Sequence, residues 1–238
     1  MQKTKIEWCD YTINPVKGLC PMACSYCYAR AMYKRFKWNP EIKFNDEVFL
    51  PLVDIKKPSR VFVGSTMELF GDWVTDWEMR GILGLCGSPT LQHHTFIFLT
   101  KQPQNLIKFS PFPDNCWVGM SVTRGGIGDA SAGAIPCFED IEAKVKFVSF
   151  EPLLSQIEFD CYTDFVDWVI IGAQTPRSEK AFPKWSWVRE IIEAADKSSI
   201  PVFLKPNLGL LEYSCEGSAP FYKRHQTGTW KIRQEMPG

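Results

Sequence analysis

The sequence predicts an α/β chain with parallel strands, on three observations. Short apolar, β-branched segments recur along its 238 residues. Stretches with helical spacing fill the gaps between them. The apolar segments also lack the alternation of a one-sided sheet, so both of their faces should be covered, as in parallel sheets. Alternating strands and helices imply βαβ units. Six or seven such units make a partial or complete (β/α) barrel, while periodicity by itself leaves a doubly wound sheet open.

The strand candidates in order are a weak one at Thr12–Asn14, then Val61–Gly64, Thr95–Leu99, Trp117–Val122, Val145–Phe150, Trp168–Gly172 and Val202–Leu204. Tyr28, Ala29, Met32, Tyr33 and Phe36 repeat at three and four residues and predict an amphipathic helix. Asp76 can cap a helix carrying Met79, Ile82, Leu83 and Cys86. Ser186 can cap another carrying Trp187, Val188, Ile191, Ile192 and Ala195, which should stop before Pro201. The Gly- and Ala-rich stretch 124–136 reads as a loop or lid. The segment 208–238 lacks periodicity and reads as an irregular wrap. With no repeat, low-complexity tract or Gly/Ser linker, residues 1–238 read as one domain.

Composition bounds the function. Hydrophobic residues make up 45% and charged residues 23%, ordinary for a soluble globular protein. No apolar run is long enough to span a bilayer, and the polar start has no signal-peptide core. Lys+Arg and Asp+Glu both number 27, so the chain as a whole is not a polybasic binder. Arg30, Lys34, Arg35, Lys37 and Lys43 nevertheless cluster against Glu41 alone. Lys223, Arg224, His225, Lys231 and Arg233 form a second basic group. Both groups read either as solvated surface or as a positive rim for phosphate or nucleic acid. Most of the nine tryptophans should pack in the core, leaving one or two to stack on a planar substrate.

The most informative feature is the run Leu19-Cys20-Pro21-Met22-Ala23-Cys24-Ser25-Tyr26-Cys27-Tyr28-Ala29-Arg30. Three thiolates can hold three corners of a 4Fe–4S cube and leave the fourth iron open for a small molecule. A structural zinc site would need a second close pair of ligands, and Cys9, His93 and His94 supply none. The odd count of nine cysteines argues against a disulfide framework. Cys86, Cys116, Cys137, Cys161 and Cys215 read as buried free thiols. Free thiols and an oxygen-sensitive cluster favour a reducing cytoplasm.

This Cys-x3-Cys-x2-Cys loop, with Tyr26 before the last cysteine, resembles the signature of the radical S-adenosylmethionine (radical SAM) superfamily. The wider run from Asn14 to Arg30 is similar to a subset that includes spore photoproduct lyase-like proteins and a phage-associated three-cysteine group. The resemblance covers about the first 30 residues. It implies a partial (β/α)6-type TIM-like barrel with the cluster loop, residues 18–28, after the first strand. It also implies that Cys20, Cys24 and Cys27 bind the cluster and that the open iron chelates S-adenosylmethionine. One electron then yields a 5'-deoxyadenosyl radical. A donor such as flavodoxin or ferredoxin would supply that electron, and the substrate could be a nucleic acid or nucleotide. By the same resemblance, Tyr26 lies near the adenine.

Barrel chemistry sits at the C-terminal ends of strands, which gives further candidates. Met67 and Glu68 follow Val61–Gly64, where the superfamily often carries a Gly-Gly-Glu segment that this chain lacks. Glu68 reads as an anchor for an ammonium or as a helix N-terminal acid, and the Thr66 or Met67 carbonyl offers an alternative anchor. Lys101 can pair with the methionyl carboxylate or simply begin a loop. Ser121, Thr123 and Arg124 can bond a ribose or carboxylate, or form turns. Glu151 at the end of an apolar strand needs a partner, either substrate or Lys205. Gly172 would let backbone approach the adenine, and Gln174, Thr175 and Arg177 follow it. The rival reading is a non-enzymatic zinc or iron–sulfur module that contacts nucleic acid through a basic face.

Overall fold

The computed structural model describes residues 1–125, 135–176, 178–210, 220–224 and 230–238. Two compact units divide the chain. The first comprises residues 1–120 with 140–144, the second 121–139 with 145–238. The fold class is the expected α/β one.

In the first unit, β1 (Gln2–Lys3), β2 (Tyr11–Ile13), β5 (Arg60–Val63), β6 (Thr95–Thr100) and β7 (Cys116–Ser121, whose last residue falls at the unit boundary) lie in that order in one sheet. All neighbours are parallel except β1 with β2. The short β3 (Val16–Lys17) and β4 (Lys43–Phe44) pair apart from it. The weak first strand is therefore real: Ile13 stands beside Val63 and is 1% exposed. Helices α1 (Tyr28–Phe36), α2 (Leu50–Val53) and α3 (Asp76–Cys86) belong to this unit. Asp76 is not the cap of α3. Thr75 is, in a reciprocal capping box with Glu78, because its hydroxyl accepts from the N3 amide while Glu78 reaches back. Phe96, Phe98, Leu52, Met79, Ile82 and Leu106 are fully buried here, each contributing about 1.5–3 kcal/mol on removal from water.

The second unit holds the parallel strands β8 (Val145–Phe150), β9 (Trp168–Ile171) and β10 (Val202–Leu204), with α4 (Trp185–Lys197) between the last two. Helix α4 starts one residue before the expected Ser186 cap, with Lys184 at the cap position and no side-chain bond to it. Its apolar face of Val188, Ile191, Ile192 and Ala195 is buried, so packing rather than capping fixes it. Helices do not fill every gap. Short 3-10 turns at Pro103–Phe109 and Asp160–Phe165 stand in two of them; Pro103 opens the first, at a position where no helical amide bond is lost.

The segment 208–238 is not wholly irregular, since β11 (Tyr222–Arg224) pairs antiparallel with β12 (Trp230–Ile232). Beyond them Leu204 N donates to Arg233 O at 2.8 Å and Gln234 bridges Phe203. Arg233 is no part of a free basic rim. It is 3% exposed, and its guanidinium grips Asp196 at 2.8 and 2.9 Å and Glu235 at 2.9 Å. Lys223 also pairs with Glu235. Among the remaining cysteines, Cys86 and Cys116 are buried as expected but Cys137 is exposed; the Cys161 side chain and Cys215 lie outside the described residues, as do His225, Arg177 and most of the 124–136 stretch. The tryptophans are less buried than expected: Trp8 and Trp168 are in the core, whereas Trp38, Trp77 and Trp185 are exposed.

Candidate cofactor site

The cysteine loop leaves the first unit's sheet just past β2. Gly18 opens it at φ +133°, and a Cβ there would lie 2.7 Å from Ile42 Cα, so only glycine fits this approach. Gly18 N donates to the Tyr33 hydroxyl at 2.8 Å, and Leu19 N to Pro40 O at 2.9 Å. Arg30 donates its Nη2 to Cys20 O at 2.6 Å. Two tight turns follow, closed by Ala23 N to Cys20 O at 3.4 Å and Cys27 N to Cys24 O at 3.0 Å. Cys27 then caps α1, its Sγ accepting from Arg30 N at 3.4 Å. Helix α1 thus holds the loop through Arg30, Tyr33 and the cap itself.

All three thiols are free and half-buried. Burial pushes the Cys20 thiol above its ordinary value, opposed by backbone hydrogen bonds from Glu68 and Met22 and reinforced by the charges of Glu68 and Cys27. Cys20 therefore lies close to both Cys27 and Glu68. Among the described residues, no three cysteine, histidine or acidic side chains are gathered as a metal ion would need. The donor set nevertheless fits a 4Fe–4S cluster in type and number: three soft thiols on one short loop. One of them, Cys27, sits at the N-terminus of α1 as its cap.

The ends of β5 and β6 supply the rest of this unit's cluster. Asn14 Oδ1 accepts from Ser65 Oγ at 3.2 Å, Thr66 N at 3.1 Å and Thr66 Oγ1 at 3.0 Å. The Tyr28 hydroxyl donates to Ser65 O at 2.7 Å. Glu68 is 7% exposed. Its carboxylate accepts from Phe70 N at 3.0 Å, Thr100 Oγ1 at 2.7 Å and Lys101 N at 2.6 Å. It belongs to no helix, so the N-terminal-acid reading fails at this position. Gln102 Nε2 reaches Met22 Sδ at 3.0 Å, and Asn105 Nδ2 holds Gln102 Oε1 at 3.1 Å and Phe70 O at 2.7 Å. A chain of side-chain amides thereby ties the cysteine loop to the end of β6. Tyr26 and Lys101 are half-buried and Met67 is buried.

In the second unit Ser121 is buried at the end of β7, and Val122 N donates to Ser149 O at 3.0 Å. Thr123 O accepts from Leu154 N at 2.8 Å. Glu151 pairs with Lys205 at 2.9 Å, side chains 23% and 16% exposed. A Cβ on Gly172 would fall 3.0 Å from Glu151 Cδ, so the close approach that this glycine permits is taken by the Glu151 side chain. Asn207 Nδ2 donates to Ala173 O at 2.7 Å and its Oδ1 accepts from Ala173 N at 3.0 Å; Nδ2 also reaches Glu151 Oε1 at 3.3 Å.

Sequence reasoning missed Asn14, Thr100, Gln102 and Asn207. The signal was present for each, since all four stand at or within three residues of a strand's C-terminal end.

A family model described as protein of unknown function (DUF5131) matches residues 3–229. No curated protein matches the sequence. Three solved structures of spore photoproduct lyase share the fold at 13% identity, covering 98% of this chain. One carries dinucleoside spore photoproduct (TM-score 0.53, 70% of that chain), and a second is a complex with the same compound (0.52, 71%). The third has bound AdoMet and the dinucleoside (0.51, 71%).

Proposed function

The chain belongs to the DUF5131 family, and we propose that it is a radical SAM enzyme acting on a nucleic acid or nucleotide. The observation that carries this reading is the loop itself: three free, half-buried thiols between β2 and α1. The spore photoproduct lyase structures, which share the fold, support it. Cys20, Cys24 and Cys27 would hold the cluster. When bound, cluster and S-adenosylmethionine supply a one-electron cleavage whose carbon radical abstracts hydrogen.

The chain's own residues position and shield. Helix α1 fixes the loop through Arg30 and Tyr33. Gln102 and Asn105 brace it from the end of β6. Glu68 has only neutral donors, two amides and one hydroxyl, and among the described residues no ion pair reaches it. In this reading the Glu68 carboxylate, close to Cys20, would anchor a cationic group such as the ammonium of S-adenosylmethionine. Lys101 and Tyr26 complete the cofactor's neighbourhood in this reading.

Anaerobic reconstitution of the full chain tests the proposal. About four iron atoms per chain are expected, with 5'-deoxyadenosine released on adding dithionite and S-adenosylmethionine. Colourless protein holding zinc and releasing no deoxyadenosine would overturn it.

A further inference from the structure

We propose that the C-terminal end of α1 is a stacking platform for single-stranded nucleic acid. This surface does not depend on the radical reading. Phe36 and Trp38 are 52% and 43% exposed, and they are not scattered apolar residues. Their rings stack with centroids 5.6 Å apart and planes 24° from parallel. The Tyr33 ring meets Trp38 edge-on at 5.3 Å and 86°. The reversal that brings Trp38 back is built in: Lys37 takes a left-handed conformation at φ 51°, and the amides of Lys37 and Trp38 both donate to Tyr33 O. The Arg35 guanidinium lies 5.2 Å over the Phe36 ring.

The charge around these rings selects the occupant. From Tyr28 to Trp38 the sequence holds four cations and no acid, in a chain whose net charge is zero. Lys34, Arg35 and Lys37 are exposed, and among the described residues none is ion-paired. A second copy of this patch would set like charges face to face. An acidic peptide would satisfy the cations but does not, by its chemistry, set a flat ring beside each charge. Planar bases strung on a phosphate chain satisfy both, because bases stack on aromatic faces while phosphates meet Lys and Arg. The strand must be unpaired, since duplex bases hide their faces in their own stack.

The test uses the full chain and fluorescein-labelled dT12 and rU12, read by anisotropy between 50 and 200 mM salt. At least one single strand should bind more tightly than a duplex of equal length, and the pair of probes distinguishes a DNA from an RNA source. Trp38→Ala and Phe36→Ala should each weaken binding about tenfold, while Trp38→Phe, which keeps a ring, should retain most of it. Arg35→Ala should flatten the salt slope by about 0.7 for a lost phosphate contact. Equal affinity for duplex, unchanged binding by Trp38→Ala, or a dimer that Trp38→Ala dissolves would each overturn the platform. Deoxyadenosine release without any oligonucleotide, measured on the same samples, reports on the cluster reading alone, so either idea can fail without the other.

Discussion

The two units each place a carboxylate at a strand's C-terminal end, and they treat it in opposite ways. Glu68 in the first unit is satisfied by two amides and a hydroxyl. Glu151 in the second is satisfied by a cation, Lys205 at 2.9 Å, and an amide from Asn207. Both groups are hydrogen-bonded, as burial demands. Neutral donors fix a carboxylate's geometry but leave its net charge, whereas a lysine cancels it. The first unit therefore holds a carboxylate without an ion-pair partner among the described residues, close to Cys20, while the second pairs its carboxylate with a lysine. Polarity at a strand end is thus a poor guide to ligand binding until the sign of what remains is known.

The contrast can be broken most sharply at the thiols. Cys24→Ala should reduce iron from about four per chain to near none, while Cys137→Ala, at an exposed cysteine of the second unit, should leave it unchanged. Equal iron in both variants would erase the distinction between the units. The carboxylates give the next largest effect. Glu68→Ala strands three donors, two of them buried, and should cost about 3–5 kcal/mol in urea denaturation. Glu151→Ala removes the partner of a lysine whose side chain is 16% exposed and should cost about 1–3 kcal/mol. A larger loss at Glu151 would reverse the argument.

The smallest effect concerns acid. Burial by itself would raise the Glu235 carboxyl, but Lys223, the Val202 amide and Arg233 hold it below its ordinary 4.5. Because the folded value is depressed, the stabilisation is fully present above the unfolded value and is lost as pH falls through the folded one. Glu235→Gln should therefore be less stable at pH 7 and show a shallower loss of stability as pH falls below the ordinary 4.5. Parallel acid titrations of the two proteins would refute the assignment.

Much of the fold was legible because its strands are apolar on both faces and its longer helices keep their spacing; Val145–Phe150 and Val202–Leu204 were bounded to the residue. Caps were less legible. Asp76 and Ser186 are both good capping types, yet Thr75 wins at α3 through a reciprocal bond with Glu78, and α4 runs without a side-chain cap. The candidate site was legible where chemistry is local: the cysteines declare themselves by spacing. It was illegible where partners are remote. Nothing near Glu68 in sequence announces Thr100, and Gln102 meets Met22 across 80 positions. Gly172 shows the same limit: the sequence marks a place where something comes close, while only the fold brings Glu151 there.

Asn207 gives and takes one hydrogen bond with the backbone of Ala173, which is what a neighbouring strand residue would do. The ladder between β9 and β10 is in effect extended by a rung made of side chain. Peptide groups beyond the last true rung thereby keep both their donor and their acceptor satisfied where a loop begins.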